Sequence, residues 1–160
     1  MLLFSLELKS PGARSAARVL RKAAKDQLIK LGLENRELSV SLVSDRRIRA
    51  INKAHRGKDK ATDVLSFPQE EPAKALRAPG PIGDVVISLD TAKRQANEGQ
   101  WPLAVELRRL LAHGLLHCLG HDHETASDAK KMDTAERKLL GNQGMVGAAG
   151  PQLRLGANKK

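Results

Sequence analysis

The chain has few cysteine and aromatic residues, the types that form disulfide cross-links and stack on nucleic-acid bases. Its 160 residues include one cysteine, Cys118, and three aromatic residues, Phe4, Phe67 and Trp101. A single cysteine excludes an internal disulfide and a zinc site made of several cysteines, and it fits a reducing compartment. Three aromatic side chains are too few for the stacking platforms that hold unpaired bases in many RNA-binding modules. Any metal ion must therefore be bound mainly through histidine.

Long apolar runs are also missing. The opening segment, MLLFSLELKS, is interrupted by Glu7 and Lys9, and no apolar stretch approaches the length of about 20 residues that crosses a bilayer. We therefore expect no secretory signal, no membrane contact through a spanning helix, and a cytoplasmic location. The length suits one domain, which we place at residues 1–141, followed by a flexible, glycine-containing tail at residues 142–160.

Positive charge is concentrated in the first part of the chain. Residues 1–60 hold 15 lysines and arginines against 6 aspartates and glutamates, whereas residues 61–160 hold 13 against 12. This asymmetry favours a polyanionic partner, either nucleic acid or an acidic membrane surface, although a basic surface that only maintains solubility has the same composition. Five of the cations share one face of a predicted helix, where they either contact phosphate or are simply solvated: Arg14, Arg18, Arg21, Lys22 and Lys25.

The periodicity of the apolar residues predicts alternating strands and helices. We expect strands at residues 1–8, 37–43, 64–67 and 82–88, and helices at about residues 13–31, 45–54, 90–97, 102–119 and 125–141. The segment at residues 68–81 is rich in proline and alanine, and we predict that it is a loop rather than a domain boundary. Leucines surround the helix at residues 102–119, so we expect it to be buried and central.

Four of the chain's five histidines lie in one segment, HGLLHCLGHDH, at residues 113–123. His113 and His117 are one helical turn apart, so their imidazoles project from the same side of the predicted helix. Gly120 can end that helix in the left-handed conformation, which lets the chain turn His123 back toward the same point. Three neutral imidazoles suit zinc and leave its fourth position for water, which is typical of catalytic sites. We predict one Zn²⁺ ion bound by His113, His117 and His123.

Two other residues of this segment are weaker ligand candidates. His121 also lies four residues from His117, but it follows Gly120, where the helix should already have ended. Cys118 points about a hundred degrees away from His117 on a helix and suits a small buried apolar position. We therefore leave both residues out of the predicted site.

The residue after the first histidine bears on the reaction. Metalloproteases of the HExxH type have a general-base glutamate there, whereas this chain has Gly114. The difference weakens a peptidase interpretation without excluding it, and zinc-assisted hydrolysis of a phosphate ester stays open. Three nearby carboxylates could act as a base or orient an imidazole, although each is more commonly a surface or capping residue: Glu106, Asp122 and Glu124.

The histidine segment resembles the signature of the YbeY family of bacterial endoribonucleases, HGxLHxxGxDH. Residues 55–68, HRGKDKATDVLSFP, resemble the family segment RGKDxxTDVLSFP, and residues 83–88, GDVVIS, are similar to its strand GDIVIS. His121 stands where the family often has an aromatic residue, and Cys118 where an aliphatic one is common. The resemblance spans most of residues 45–125 and leaves the basic N-terminal helix outside.

The resemblance implies an α+β fold, with a small mixed β-sheet of about four strands flanked by helices and the zinc site on the central helix and the turn after it. It implies an endoribonuclease that prefers single strands and acts on ribosomal RNA and the small ribosomal subunit, in rRNA maturation and quality control. It places the family's functional arginine at Arg56, and a guanidinium suits this role because it binds phosphate through two parallel hydrogen bonds. Lys58 and Lys60 could extend that phosphate contact.

Two alternative functions stay open at this point, and so does the oligomeric state. The first is a metal-dependent peptidase, because the spacing HxxxHxxGxxH of the histidine segment would serve a peptidase equally well. The second is a non-catalytic ribosome assembly factor with a structural zinc, which the basic charge and the modest size of the chain would also suit.

Overall fold

The computed structural model describes residues 1–71, 74 and 79–141. The predicted elements are present, with ends that differ by a few residues, and the predicted tail at residues 142–160 lies outside the described part. In chain order the elements are β1 Leu2–Leu6, α1 Ala13–Lys30, β2 Leu38–Val43, α2 Asp45–Arg56, β3 Val64–Pro68, β4 Gly83–Ser88, α3 Leu89–Gly99, α4 Leu103–Cys118 and α5 Ala126–Leu140.

The four strands form one mixed sheet in the order β1-β2-β4-β3. β1, β2 and β4 are parallel, whereas β3 runs antiparallel to β4 at the edge, with Val64 opposite Ile87 and Pro68 opposite Gly83. The sheet and its flanking helices confirm the expected α+β fold. Among the described residues, no helix has the length and hydropathy needed to span a membrane.

Helices cover both faces of the sheet. Alternate side chains of β4 point to opposite faces, so Val85 and Ile87 join the main core beneath α1 and α4, while Val86 joins a smaller cluster with Ile48 of α2. α4 is buried along most of its length, as predicted, because it also packs against α3 and α5. The central helix α4 therefore contacts both the sheet and its neighbouring helices.

Asp45 fixes the start of α2 to the start of α3. Its Oδ1 accepts hydrogen bonds from the hydroxyls of Ser88 and Thr91, both at 2.6 Å, and its Oδ2 lies 2.8 Å from Arg94 Nη1. Burial alone would raise the pKa of Asp45, but these hydrogen bonds and the charge of Arg94 together lower it below its usual value. The Asp90 side chain accepts a hydrogen bond from the Asp45 backbone N–H, and the Ser88 side chain caps α3.

Gly114 lets α4 lie very close to the sheet. A Cβ atom at this position would lie 2.7 Å from Val85 Cγ1 and 3.2 Å from Val64 Cγ2. Both distances are shorter than ordinary carbon–carbon contacts. No side chain fits at position 114 unless α4 moves away from β3 and β4.

We expect Gly114→Ala to lower the free energy of unfolding by about 1–2 kcal/mol, even though alanine gains up to about 1 kcal/mol over glycine inside a helix. The cause is the overlap of the new methyl group with Val85. Denaturant unfolding measures the loss of stability in three variants: Gly114→Ala, Val85→Ala and the double variant. Because Val85→Ala removes the overlapping methyl groups, the double variant should lose less stability than the sum of the single variants, and additive losses would argue against the overlap.

Candidate metal centre

The structure brings the three predicted ligands together at the C-terminal end of α4. One side-chain nitrogen of each of His113, His117 and His123 lies within 4.8 Å of the other two. The ring centroids are 4.6 Å apart for His113 and His117, 5.2 Å for His117 and His123, and 5.8 Å for His113 and His123. Nitrogen atoms bound to one zinc ion lie roughly 3–3.5 Å apart, so the three nitrogens are near the spacing that one ion requires. The cluster can therefore bind a metal ion.

A glycine turn produces this convergence. Gly120 has φ +100°, in the region that favours glycine, and its N–H donates to the carbonyl oxygen of His117 at 3.0 Å. The next N–H, of His121, donates to the carbonyl oxygen of Leu116, which closes the end of α4. The chain then reverses and returns His123 to the other two histidines. His121 is not part of the cluster.

Glu136 of α5 holds the first histidine. Its carboxylate is 2% exposed, and its Oε1 lies 2.8 Å from His113 Nδ1. With the imidazole proton on Nδ1, His113 donates to this carboxylate oxygen and keeps the lone pair of Nε2 for a metal ion. Carboxylate–histidine pairs of this kind orient metal ligands in many zinc proteins. The donor set thus fits a zinc ion.

Sequence reasoning missed Glu136, although a signal was present. Glu136 lies on the apolar face of α5 with Met132 and Leu139, and all three are buried. A carboxylate on such a face requires a buried partner. Of the three carboxylates that the sequence suggested, Glu106 accepts a hydrogen bond from Trp101 Nε1 at 2.9 Å at the other end of α4. Asp122 accepts one from the backbone N–H of Glu124, the third candidate.

We expect Glu136→Gln to weaken zinc binding by about 10–100-fold, because an amide oxygen is a weaker hydrogen-bond acceptor than a carboxylate and orients His113 less strongly. Competition against a chelator of known affinity measures the change. Asp133→Asn is the matched control, because it removes a carboxylate of the same helix that pairs with Arg137 on the helix surface. Equal zinc affinities for the Glu136 variant and the unmodified protein would show that the carboxylate does not act on the ligand.

Electrostatics favour the neutral form of the second histidine. Burial, together with the nearby His113 and His123, lowers the pKa of His117 to about 4. A neutral imidazole is the form that binds metal ions. Burial also raises the pKa of the Cys118 thiol to about 12, and this side chain lies outside the cluster in the core, as its position on the helix predicted.

The three histidines, together with residues from the end of α2 through β3, line a cleft of about 220 Å³. Three cationic side chains from this segment line the cleft, namely Arg56, Lys58 and Lys60. Within the part of the chain that the structure describes, none of the three forms an ion pair with a carboxylate. One carboxylate, Asp63, also lines the cleft, and its oxygens accept hydrogen bonds from Val64 N–H and Gln95 Nε2. The cleft therefore combines a metal-binding cluster with three cations and one carboxylate.

Arg56 is held at the rim of this cleft. Its Nη2 donates to the carbonyl oxygen of Ser66 at 3.0 Å, and its Cζ lies 5.7 Å from the ring centroid of Phe67. A guanidinium has five N–H donors, so this hydrogen bond leaves others for a ligand. The structure thus places Arg56 and the three histidines in one cleft, although they are far apart in sequence.

Gly114 also lines the cleft, at the position where HExxH metalloproteases have their general base. The contact of α4 with Val85 leaves no room for a side chain there. The glycine is therefore required by packing, and a glutamate could not be accommodated at this position without a shift of the helix.

The fold and the site together define a small α+β protein with an open three-histidine cluster in a cationic cleft, the arrangement of a metal-dependent hydrolase. The sequence model of one protein family, Endoribonuclease YbeY, matches residues 7–144 of this chain. The chain belongs to this family, and its membership confirms the resemblance seen in the three sequence segments.

Individual relatives carry the same family name. Endoribonuclease YbeY of Myxococcus xanthus (strain DK1622) is 57% identical over 133 residues, which cover 83% of this chain and 45% of the relative. Endoribonuclease YbeY of Anaeromyxobacter sp. (strain Fw109-5) is 53% identical over 145 residues, which cover 90% of this chain and 73% of the relative. The chain thus spans less than half of the Myxococcus protein.

A solution structure of a Thermotoga maritima protein has a similar fold. Its TM-score is 0.59 at 24% sequence identity, and the match covers 89% of this chain and 91% of that one. At this identity the likeness supports the fold alone.

Proposed function

We propose that this protein is a zinc-dependent endoribonuclease that cuts single-stranded RNA in the cytoplasm. Its substrate is ribosomal RNA, and its role is the maturation of that RNA and the quality control of the small ribosomal subunit. The observation that carries the proposal is the shared cleft, in which the histidine cluster faces Arg56, Lys58 and Lys60. Membership of the endoribonuclease family supports the choice of RNA as the substrate.

His113, His117 and His123 would hold the zinc ion, and Glu136 would keep His113 in the ligand tautomer. When bound, zinc supplies a Lewis acid that offsets charge on a phosphoryl oxygen and increases the nucleophilicity of water. Three protein ligands leave a coordination position for this chemistry. Glu136 takes no direct part and acts by orienting His113.

The cationic side chains act on the phosphodiester itself. Negative charge increases on the phosphoryl oxygens as the P–O bond is attacked, and the preorganised guanidinium of Arg56 stabilises that charge. Lys58 and Lys60 bind phosphates on either side as point charges.

The test compares purified protein before and after removal of its metal. Elemental analysis should find about one zinc per chain. A single-stranded RNA taken from a small-subunit rRNA precursor should be cut by the loaded protein, remain intact after chelation, and be cut again when zinc is returned. The same sequence as a full duplex should be cut much more slowly.

A peptide library incubated in parallel tests the peptidase alternative. Discrete peptide cuts that disappear with the chelator, together with intact RNA, would replace the proposal by a peptidase. Intact RNA and intact peptides with zinc present would instead support an assembly factor with a structural ion.

A further inference from the structure

The α1 stripe consists of five cationic side chains on α1, all exposed, namely Arg14, Arg18, Arg21, Lys22 and Lys25. None of them pairs with a carboxylate among the described residues. Arg21 lies over the ring of Phe4, with its Cζ 4.7 Å from the ring centroid. The one acidic residue of α1 is Asp26. The positive charge of the stripe is therefore not balanced by neighbouring side chains.

The opposite face of α1 is already used by the core. Its buried residues are mostly alanine and leucine, and they pack against β1 and α4: Ala13, Ala16, Ala17, Leu20, Ala23, Ala24 and Leu28. A helix that binds a membrane surface inserts its apolar face among the lipids. That face of α1 is buried in the protein, so the stripe offers a partner mainly charge, with one exposed apolar residue, Ile29, a turn beyond Lys25.

The residue types of the stripe suit phosphate groups. Three of the five are arginines, whose planar guanidinium binds a phosphate through two parallel hydrogen bonds. The stripe contains no aromatic side chain on which an unpaired base could stack. From Arg14 to Lys25 the helix rises by about 17 Å, which spans several phosphates of a nucleic-acid strand. These properties favour a nucleic-acid backbone that is read by charge and not by sequence.

The stripe and the cleft lie at opposite edges of the sheet. α1 packs against β1, whereas the cleft borders β3, and the strand order β1-β2-β4-β3 separates these strands by three interstrand spacings. With about 4.8 Å per spacing, the two strands are roughly 14 Å apart. The two sheet edges are thus close enough for one structured RNA to extend from one to the other.

We propose that the α1 stripe binds the phosphate backbone of an RNA duplex adjacent to the single strand that enters the cleft. The inference rests on the proposed function, because it assumes an RNA substrate. It adds a second binding surface that selects structured RNA, in which a duplex adjoins an unpaired segment. The cleft then cuts the unpaired segment.

Two triple variants with the same change in net charge test this surface. The stripe variant is Arg14→Gln, Arg18→Gln and Lys25→Gln, which leaves Arg21 and its contact with Phe4 intact. The control variant is Lys130→Gln, Lys131→Gln and Lys138→Gln, which removes three exposed cations from α5. Fluorescence anisotropy of the zinc-loaded full chain measures binding to a 2′-O-methyl RNA hairpin with a single-stranded extension, and to the extension alone, over a range of salt concentrations.

The stripe variant should bind the hairpin about tenfold more weakly than the unmodified protein. Its plot of log affinity against log salt concentration should be less steep, with a slope smaller in magnitude by about 2–3, because three phosphate contacts are lost. The stripe variant should bind the extension alone with unchanged affinity. It should also cut the same single strand, made as ordinary RNA, at an unchanged rate. The control variant should match the unmodified protein in all these measurements. Equal hairpin affinities for the stripe variant and the unmodified protein would overturn the inference, and so would an equal loss in the control variant.

Two further outcomes separate the rival interpretations. If the stripe variant loses affinity only for vesicles of acidic phospholipid, the stripe contacts a membrane surface and the inference is wrong. If the unmodified protein binds the hairpin through the stripe but cuts no RNA, the proposed function fails while the duplex-binding surface stands.

Discussion

Replacing His123 with alanine should abolish stoichiometric zinc binding and reduce RNA cleavage by about 100-fold or more, because two histidines alone hold zinc weakly. Replacing His121, two residues earlier, should leave both properties within about twofold of the unmodified protein. The contrast follows from the turn at Gly120, which directs His123 but not His121 to the cluster.

Zinc content after dialysis and affinity against a competing chelator measure the first property, and initial rates on a short single-stranded RNA measure the second. The two variants are matched in residue type, charge and sequence position. Loss of zinc in His121→Ala with retention in His123→Ala would mean that the turn presents the other imidazole, and the assigned ligand set would be wrong.

Replacing Arg56 with alanine should lower kcat for RNA cleavage by about 100-fold. A loss of this size is typical when an enzyme loses one preorganised hydrogen-bond donor that stabilises negative charge in the transition state. KM should change less, because the guanidinium interacts most strongly with charge that forms during the reaction. Arg56→Lys should recover only part of the rate, since an ammonium retains the charge but cannot form two parallel hydrogen bonds.

Lys58→Ala is the matched control on the same rim of the cleft. It removes a contact to a flanking phosphate, so it should raise KM and leave kcat nearly unchanged. Thermal unfolding should show similar stability for the three variants, because both side chains are exposed. If Arg56→Ala alters KM alone, the residue binds substrate without stabilising the transition state.

The parts of the fold and site that sequence predicted are those encoded over short distances along the chain. The apolar periodicity of α4 and the spacing of His113 and His117 depend on one helix, and the position of Gly120 predicts where that helix ends. These features need no knowledge of the tertiary structure. The ends of strands and helices were accordingly predicted to within a few residues.

The parts that sequence did not predict depend on contacts between distant segments. Glu136 reaches His113 from α5, 23 residues further along the chain. The antiparallel direction of β3 depends on its pairing with β4, and local residue patterns do not specify it. The family resemblance gave Arg56 a role, but only the fold shows that α2 ends beside the histidines.

The chain's one cysteine has a practical consequence for experiments on this protein. Cys118 is 1% exposed, and burial raises the pKa of its thiol to about 12, so very little thiolate exists at neutral pH. Alkylating reagents and disulfides react with thiolates, so the native thiol should be inert while the protein is folded. A cysteine introduced at an exposed site such as Lys22 or Lys130 would therefore carry a single fluorescent label without removal of the native residue.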